Sequence, residues 1–144
     1  MGHEDAGHYA RKHWPGSVAD PTIREAIEKR AANGKLPCAV AFDVAKRLGV
    51  APHEVGRTAD LMEIRLVKCQ LGLFGYSPKK SIVEPAASVA PAVEKEILQA
   101  IINGRLPCKR AWEIADQLGI HKMKVSAACD ALVVRIRPCQ LGAF

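Results

Sequence analysis

Residues 113–132, EIADQLGIHKMKVSAACDAL, decide how this chain reads. Ile114, Ala115 and Leu118 fall on one helical face. Gly119 then offers a position without Cβ, where a helix can stop at positive φ. Ile120 follows the stop, and Val125, Ala128 and Leu132 resume helical spacing. The stretch predicts two short helices around a tight turn, with the small Ala115 letting them cross closely and the apolar residues about the turn fixing the angle.

Residues 42–62, FDVAKRLGVAPHEVGRTADLM, carry the same pattern in Val44, Ala45, Leu48, Gly49, Val50 and Val55. The correspondence extends beyond the hairpin. Asn33-Gly34 recurs as Asn103-Gly104, Leu36-Pro37-Cys38 as Leu106-Pro107-Cys108, and Cys69-Gln70-Leu71-Gly72 as Cys139-Gln140-Leu141-Gly142, always 70 positions on. A period of this length marks a duplicated domain, since solenoid units run to about 20–50 residues.

The alanine, the turn glycine and the flanking apolar positions of both copies resemble the helix-turn-helix of DNA-binding transcriptional regulators. In that family the second helix enters the major groove. Around each hairpin the sequence adds further elements. Asp20 is placed to cap a helix that begins at Pro21, carries Ile23, Ala26, Ile27 and Ala31, and ends at Asn33-Gly34. Its copy runs from about residue 92 to 103 with Val93, Ile97, Leu98, Ile101 and Ile102 as the stripe. Leu36-Pro37 and Leu106-Pro107 read as connectors, and residues 64–69 and 134–139 as short strands of alternating apolar and basic character. Pro138 confines the second of these to an edge.

After the first strand, a Gly-rich segment leads to Ser81-Ile82-Val83-Glu84, an expected return strand, with Ser77-Pro78-Lys79-Lys80 as the hairpin tip. Three helices followed by a β-hairpin resemble the winged helix. The expected fold class is mainly α with short β-hairpins (α+β), as two tandem winged-helix-like repeats. The expected organisation is a flexible arm over 1–20, a first domain over 21–84, a Pro/Ala-rich linker over 85–91, and a second domain over 92–144. The copy reaches Phe144 before any return strand, so its wing is expected to be missing, or its strand to pair with the first repeat.

Composition narrows the function classes. The 144 residues are 49% apolar with a net charge of +6. Residues 23–74 carry 9 basic and 6 acidic side chains, and residues 93–144 carry 8 and 5, a mild positive balance in each repeat that suits a polyanion. No apolar run reaches membrane-spanning length and the polar N-terminus lacks a signal-peptide core, so a cytoplasmic protein without a membrane partner is expected. No Ser/His/Asp grouping, phosphate-binding Gly loop or pair of carboxylates in an apolar setting is present, and a non-enzyme without cofactor is expected. His3, His8 and His13, five apart, do not share a helical face, so no metal site is expected there.

The residues expected to touch double-stranded DNA are His53 and Arg57 on the first reading helix, His121, Lys122, Lys124 and Ser126 on the second, and Lys79 and Lys80 on the wing. Glu54 and Asp60 oppose phosphates, which makes the second repeat the stronger candidate. Phe42 and Trp112, at equivalent positions, read as packing residues. Five cysteines without a CxxC pair do not suggest a disulfide scaffold. Cys38/Cys69 and Cys108/Cys139 recur 31 apart and read first as small buried hydrophobes, with a thiol or metal sensor as the other reading. Gln70 and Gln140 read as amides bonded to backbone at the strand ends. The resemblance implies a DNA-binding regulator or accessory protein, a monomer with two repeats or a homodimer. The alternative is a protein–protein interaction module of the same fold.

Overall fold

The computed structural model describes residues 8–144. His3 therefore lies outside the described residues. The chain forms two compact units, and their boundary is not the linker: one unit runs to Cys69 and also takes in Leu141–Phe144, while the other is Gln70–Gln140.

In the first unit, α1 (Pro21–Arg30) starts where expected, with Asp20 Oδ1 accepting from the Thr22 and Ile23 amides at 2.9 and 3.1 Å. Ile23 and Ile27, one turn apart, are buried. Asn33 and Gly34 both take positive φ, 53° and 72°, and Ala32 and Lys35 close the turn with two backbone hydrogen bonds. That is a tight primed turn, which needs residues tolerant of the left-handed region at both centres. The chain reverses into β1 (Lys35–Pro37), then α2 (Cys38–Leu48) and α3 (Pro52–Leu61). Gly49 ends α2 at φ 66°, with the Val50 amide donating to Ala45 O at 3.0 Å. β2 (Arg65–Val67) closes the unit's regular structure.

The second unit repeats the plan as α4 (Pro91–Ala100), β3 (Arg105–Leu106), α5 (Cys108–Leu118), α6 (Lys122–Ala131) and β4 (Arg135–Ile136). Gly119 has φ 64°, and Asn103-Gly104 makes the same turn as its counterpart. Val44, Ala45, Val55 and Ala59 fill the first core; Ile114, Ala115, Val125 and Ala128 fill the second. The stripe of α4 is narrower than expected. Ile97 and Ala100 are buried, whereas Leu98 and Ile102 are exposed.

The strands depart from the winged-helix expectation. β1 pairs with β2 in parallel, in the register Lys35↔Arg65, Leu36↔Leu66, Pro37↔Val67, and β3 pairs with β4 as Arg105↔Arg135, Leu106↔Ile136. The Leu-Pro connectors are thus strands. The α2–α3 hairpin acts as the crossover that returns the chain to the start of β1 in the same direction, as parallel pairing requires. The return strand over 81–84 does not form: Ile82 N and Ser81 Oγ donate to Gly72 O at 2.9 and 3.2 Å, which closes a loop on that carbonyl. Lys79 and Lys80 are exposed on this loop and not on the tip of a strand hairpin. β4 pairs within its own repeat.

The arm also differs from a flexible tail over its described part. Tyr9–Lys12 is a 3-10 turn, and Tyr9 is buried. Glu63 accepts from the Tyr9 and Ala10 amides at 2.9 Å each, the arrangement expected of a carboxylate at a helix start. No described helix is long and apolar enough to cross a membrane.

Candidate nucleic-acid interface

The helices α3 and α6, on which the sequence placed the expected DNA contacts, have different surroundings. On α3, Val55, Thr58 and Ala59 face the core, and Thr58 Oγ1 donates to Glu54 O at 2.8 Å. A second flank is closed as well. The Leu141 carbonyl lies directly over Gly56, so that any Cβ at 56 would overlap it. Asp60, 5% exposed, meets Lys12 Nζ at 3.0 Å and His13 Nε2 at 2.9 Å. Lys12 Nζ also donates to Gly142 O at 3.1 Å. Burial pushes the Asp60 carboxyl above its ordinary value, although Lys12 and His13 pull it back. Lys12 is therefore committed to Asp60 and the C-terminal segment. The strip of α3 left to solvent holds His53, half-buried Arg57 and Glu54, and His53 Nε2 lies 3.2 Å from Glu54 Oε1.

On α6, Val125, Ser126, Ala128 and Cys129 face inward. Ser126 is 1% exposed and its Oγ points back to Lys122 O at 3.4 Å, so it is not a DNA-contacting residue. It follows Val125 directly and shares the buried half of the helix, at the position Gly56 holds in α3. His121 and Lys124 are exposed. Lys122 Nζ sits 4.6 Å from the centre of the Trp112 ring, a cation–π contact that holds the ammonium at the helix start. The first turn of α6 holds no acid and its N-cap makes no side-chain hydrogen bond, whereas α3 has Glu54 in its first turn. An open cleft of about 280 Å³ is lined by Gln70, Ile120, His121, Lys122 and Met123.

Charge is also spent differently. In the first unit Arg24 pairs with Glu28, Lys29 with Glu25, and Asp43 receives both Arg30 and Arg47, which hold its carboxyl below the ordinary value. In the second, Arg110–Glu113 at 2.6 Å is the ion pair found among the described residues.

Cys38, Cys69, Cys108 and Cys129 are buried and Cys139 is half-exposed. The Cys108 amide donates to Pro138 O at 3.0 Å, which brings α5 and the end of β4 together; Gln140 Nε2 donates to Cys108 Sγ at 3.5 Å, a sulfur partner where backbone was expected. Burial, with the Asp130 charge beside it, pushes the Cys129 thiol up to about 12, so it is protonated and inert near neutrality. Among the described residues no three His, Cys, Asp or Glu side chains gather as a metal site.

The sequence reading missed the docking of Lys12 and His13 on Asp60 and the covering of Gly56. The one available signal was that Gly56 and Ser126 are both small, as close packing requires. Comparison with family models, curated proteins and solved structures found no match to this chain.

Proposed function

We propose that the chain is a double-stranded-DNA-binding protein of regulatory or accessory type, and that its second unit makes the contact. The observation that carries this reading is the first turn of α6. His121, Lys122 and Lys124 open the helix, no acid lies among them, and the amides of the turn have no side-chain cap. Cations at a helix start whose amides meet no capping side chain favour phosphate.

The test is fluorescence-polarisation titration of the full chain against a random duplex at several salt concentrations. Binding is expected at low salt, falling as salt rises. Lys122→Glu with Lys124→Glu should weaken it, each lost phosphate contact lowering the slope of log K against log salt by about 0.9. Undiminished binding by that double variant would remove α6 from the interface.

The covered flank of α3 favours a second role for the first unit, as an interaction or scaffolding module. Absence of duplex binding at any salt would leave that alternative as the function of both units.

A further inference from the structure

β3 and β4 are two residues each, and their register decides where the charges go. Leu106 and Ile136 are paired and buried. Successive strand residues point to opposite faces, so Arg105 and Arg135, also paired, share the outer face. Both are exposed. The ladder continues one step, because the Arg137 amide donates to Leu106 O at 2.9 Å. Arg137 is exposed and lies two residues beyond Arg135, so it joins the same face.

Three guanidinium groups thus stand on one side of a two-stranded ribbon, and no ion pair with any of them occurs among the described residues. Like charges directly opposite each other across a ladder destabilise it. The first unit nevertheless repeats the device: Lys35 pairs with Arg65 above the buried pair Leu36 and Leu66, and Arg65 Nε is buried without a hydrogen-bond partner among the described residues. Arg65 is half-buried there, whereas in the second unit both members of the pair are exposed, so that a countercharge can reach them from outside.

We propose that the outer face of the β3–β4 ribbon, formed by Arg105, Arg135 and Arg137, binds the phosphate backbone of a nucleic acid. This proposal rests on the DNA-binding reading above and adds to the start of α6 a second electrostatic contact, on the ribbon, in place of the expected wing lysines. Arginine suits the task, since its planar fork engages two phosphate oxygens at once and stays charged. The ribbon fixes orientation and affinity; it reads no base sequence.

The experiment is salt-dependent titration of a random duplex by the full chain, by the triple variant Arg105→Gln/Arg135→Gln/Arg137→Gln, and by Lys79→Gln/Lys80→Gln. The ribbon variant should lose about 2–3 units of log K–log salt slope, while the loop variant keeps most of it. Thermal unfolding supplies a readout that a merely structural role would not give: removing the repulsion should leave the triple variant's Tm equal to or above that of the parent chain. Duplex binding with an unchanged slope in the ribbon variant would overturn the ribbon proposal and leave the DNA-binding reading standing. No duplex binding by the parent chain would overturn both. In that case, binding to polyglutamate that the ribbon variant loses would identify an acidic protein as the partner.

Discussion

Gly56 separates two accounts of α3 by the sign of a single substitution. On an open helix face, Gly→Ala raises stability by about 0.8–1.0 kcal/mol, because alanine has the better helix propensity. Here a Cβ at 56 would overlap the Leu141 carbonyl oxygen and lie 2.6 Å from the Leu141 carbonyl carbon. Neither partner is a side chain that can rotate away, so the C-terminal segment has to leave. Leu141 is 1% exposed, and re-exposing it costs about 1.5–3 kcal/mol. The Lys12–Gly142 hydrogen bond goes with it, at a net cost of about 0.5–1.5 kcal/mol. Against the propensity gain, Gly56→Ala should destabilise the first unit by about 1–4 kcal/mol.

The assay is amide hydrogen exchange at Val55, Thr58 and Ala59, which reports opening of this unit by itself. The same substitution in a chain ending at Gln140 should reverse sign and stabilise by up to about 1 kcal/mol, since the clash is gone. Stabilisation in the full chain, or an equal effect in both backgrounds, would refute the packing of Leu141 on α3.

Two further outcomes follow from single groups. The Asp60 carboxyl is held above its ordinary value by burial, so its contribution to stability is fully present below the usual carboxylate range and is lost as pH rises through its folded pKa. Lys12→Met removes one of the opposing pulls, and carboxyl-carbon NMR should show Asp60 titrating higher still; an unmoved titration would disconnect the pair. Val133 is 91% exposed at φ 59°, a left-handed conformation that a β-branched residue adopts at a cost of about 1–2 kcal/mol. Val133→Asn should therefore raise the urea midpoint of the second unit, and a lowered midpoint would mean that Val133 makes contacts its exposure does not suggest.

The parts of the fold legible in the sequence were those set by neighbours in the chain. Gly49 and Gly119, and Asp20 with Pro21, each act within a few residues, and each is where the sequence placed it, whereas the Asn-Gly pairs, expected as helix ends, form turns three residues beyond α1 and α4. The strand partners were not legible. β1 is three residues long and meets β2 across two whole helices, so nothing local distinguishes it from a connector. The wing was inferred from order alone, and the apolar pair Ile82-Val83 that suggested a return strand instead packs about Gly72. At the site, charge and position on α6 were readable for His121, Lys122 and Lys124. The burial of Ser126 was not, because its small polar side chain suits a helix surface as well as a close packing position.

The recurring Cys-Gln-Leu-Gly segment accounts for much of the difference between the expected and the observed surroundings of α3 and α6. Leu71 ends the first repeat yet is buried in the second unit, and Leu141 ends the second repeat yet is buried in the first. Neither repeat completes its core from its own sequence, an intramolecular form of the exchange seen in domain swapping. The exchange also decides what the helices can present. Leu141 closes one flank of α3 at Gly56, while the segment that begins at Gln70 runs beside α6, where Gly72 approaches Met123 and the Ala86 amide donates to Ala127 O. A helix with a closed flank does not lie along a groove over its whole length. It can still offer its first turn. In the proposed reading, DNA is therefore met by the arginine ribbon and by His121 and Lys124, which stay exposed at the start of α6 although the segment from Gln70 lies beside that turn.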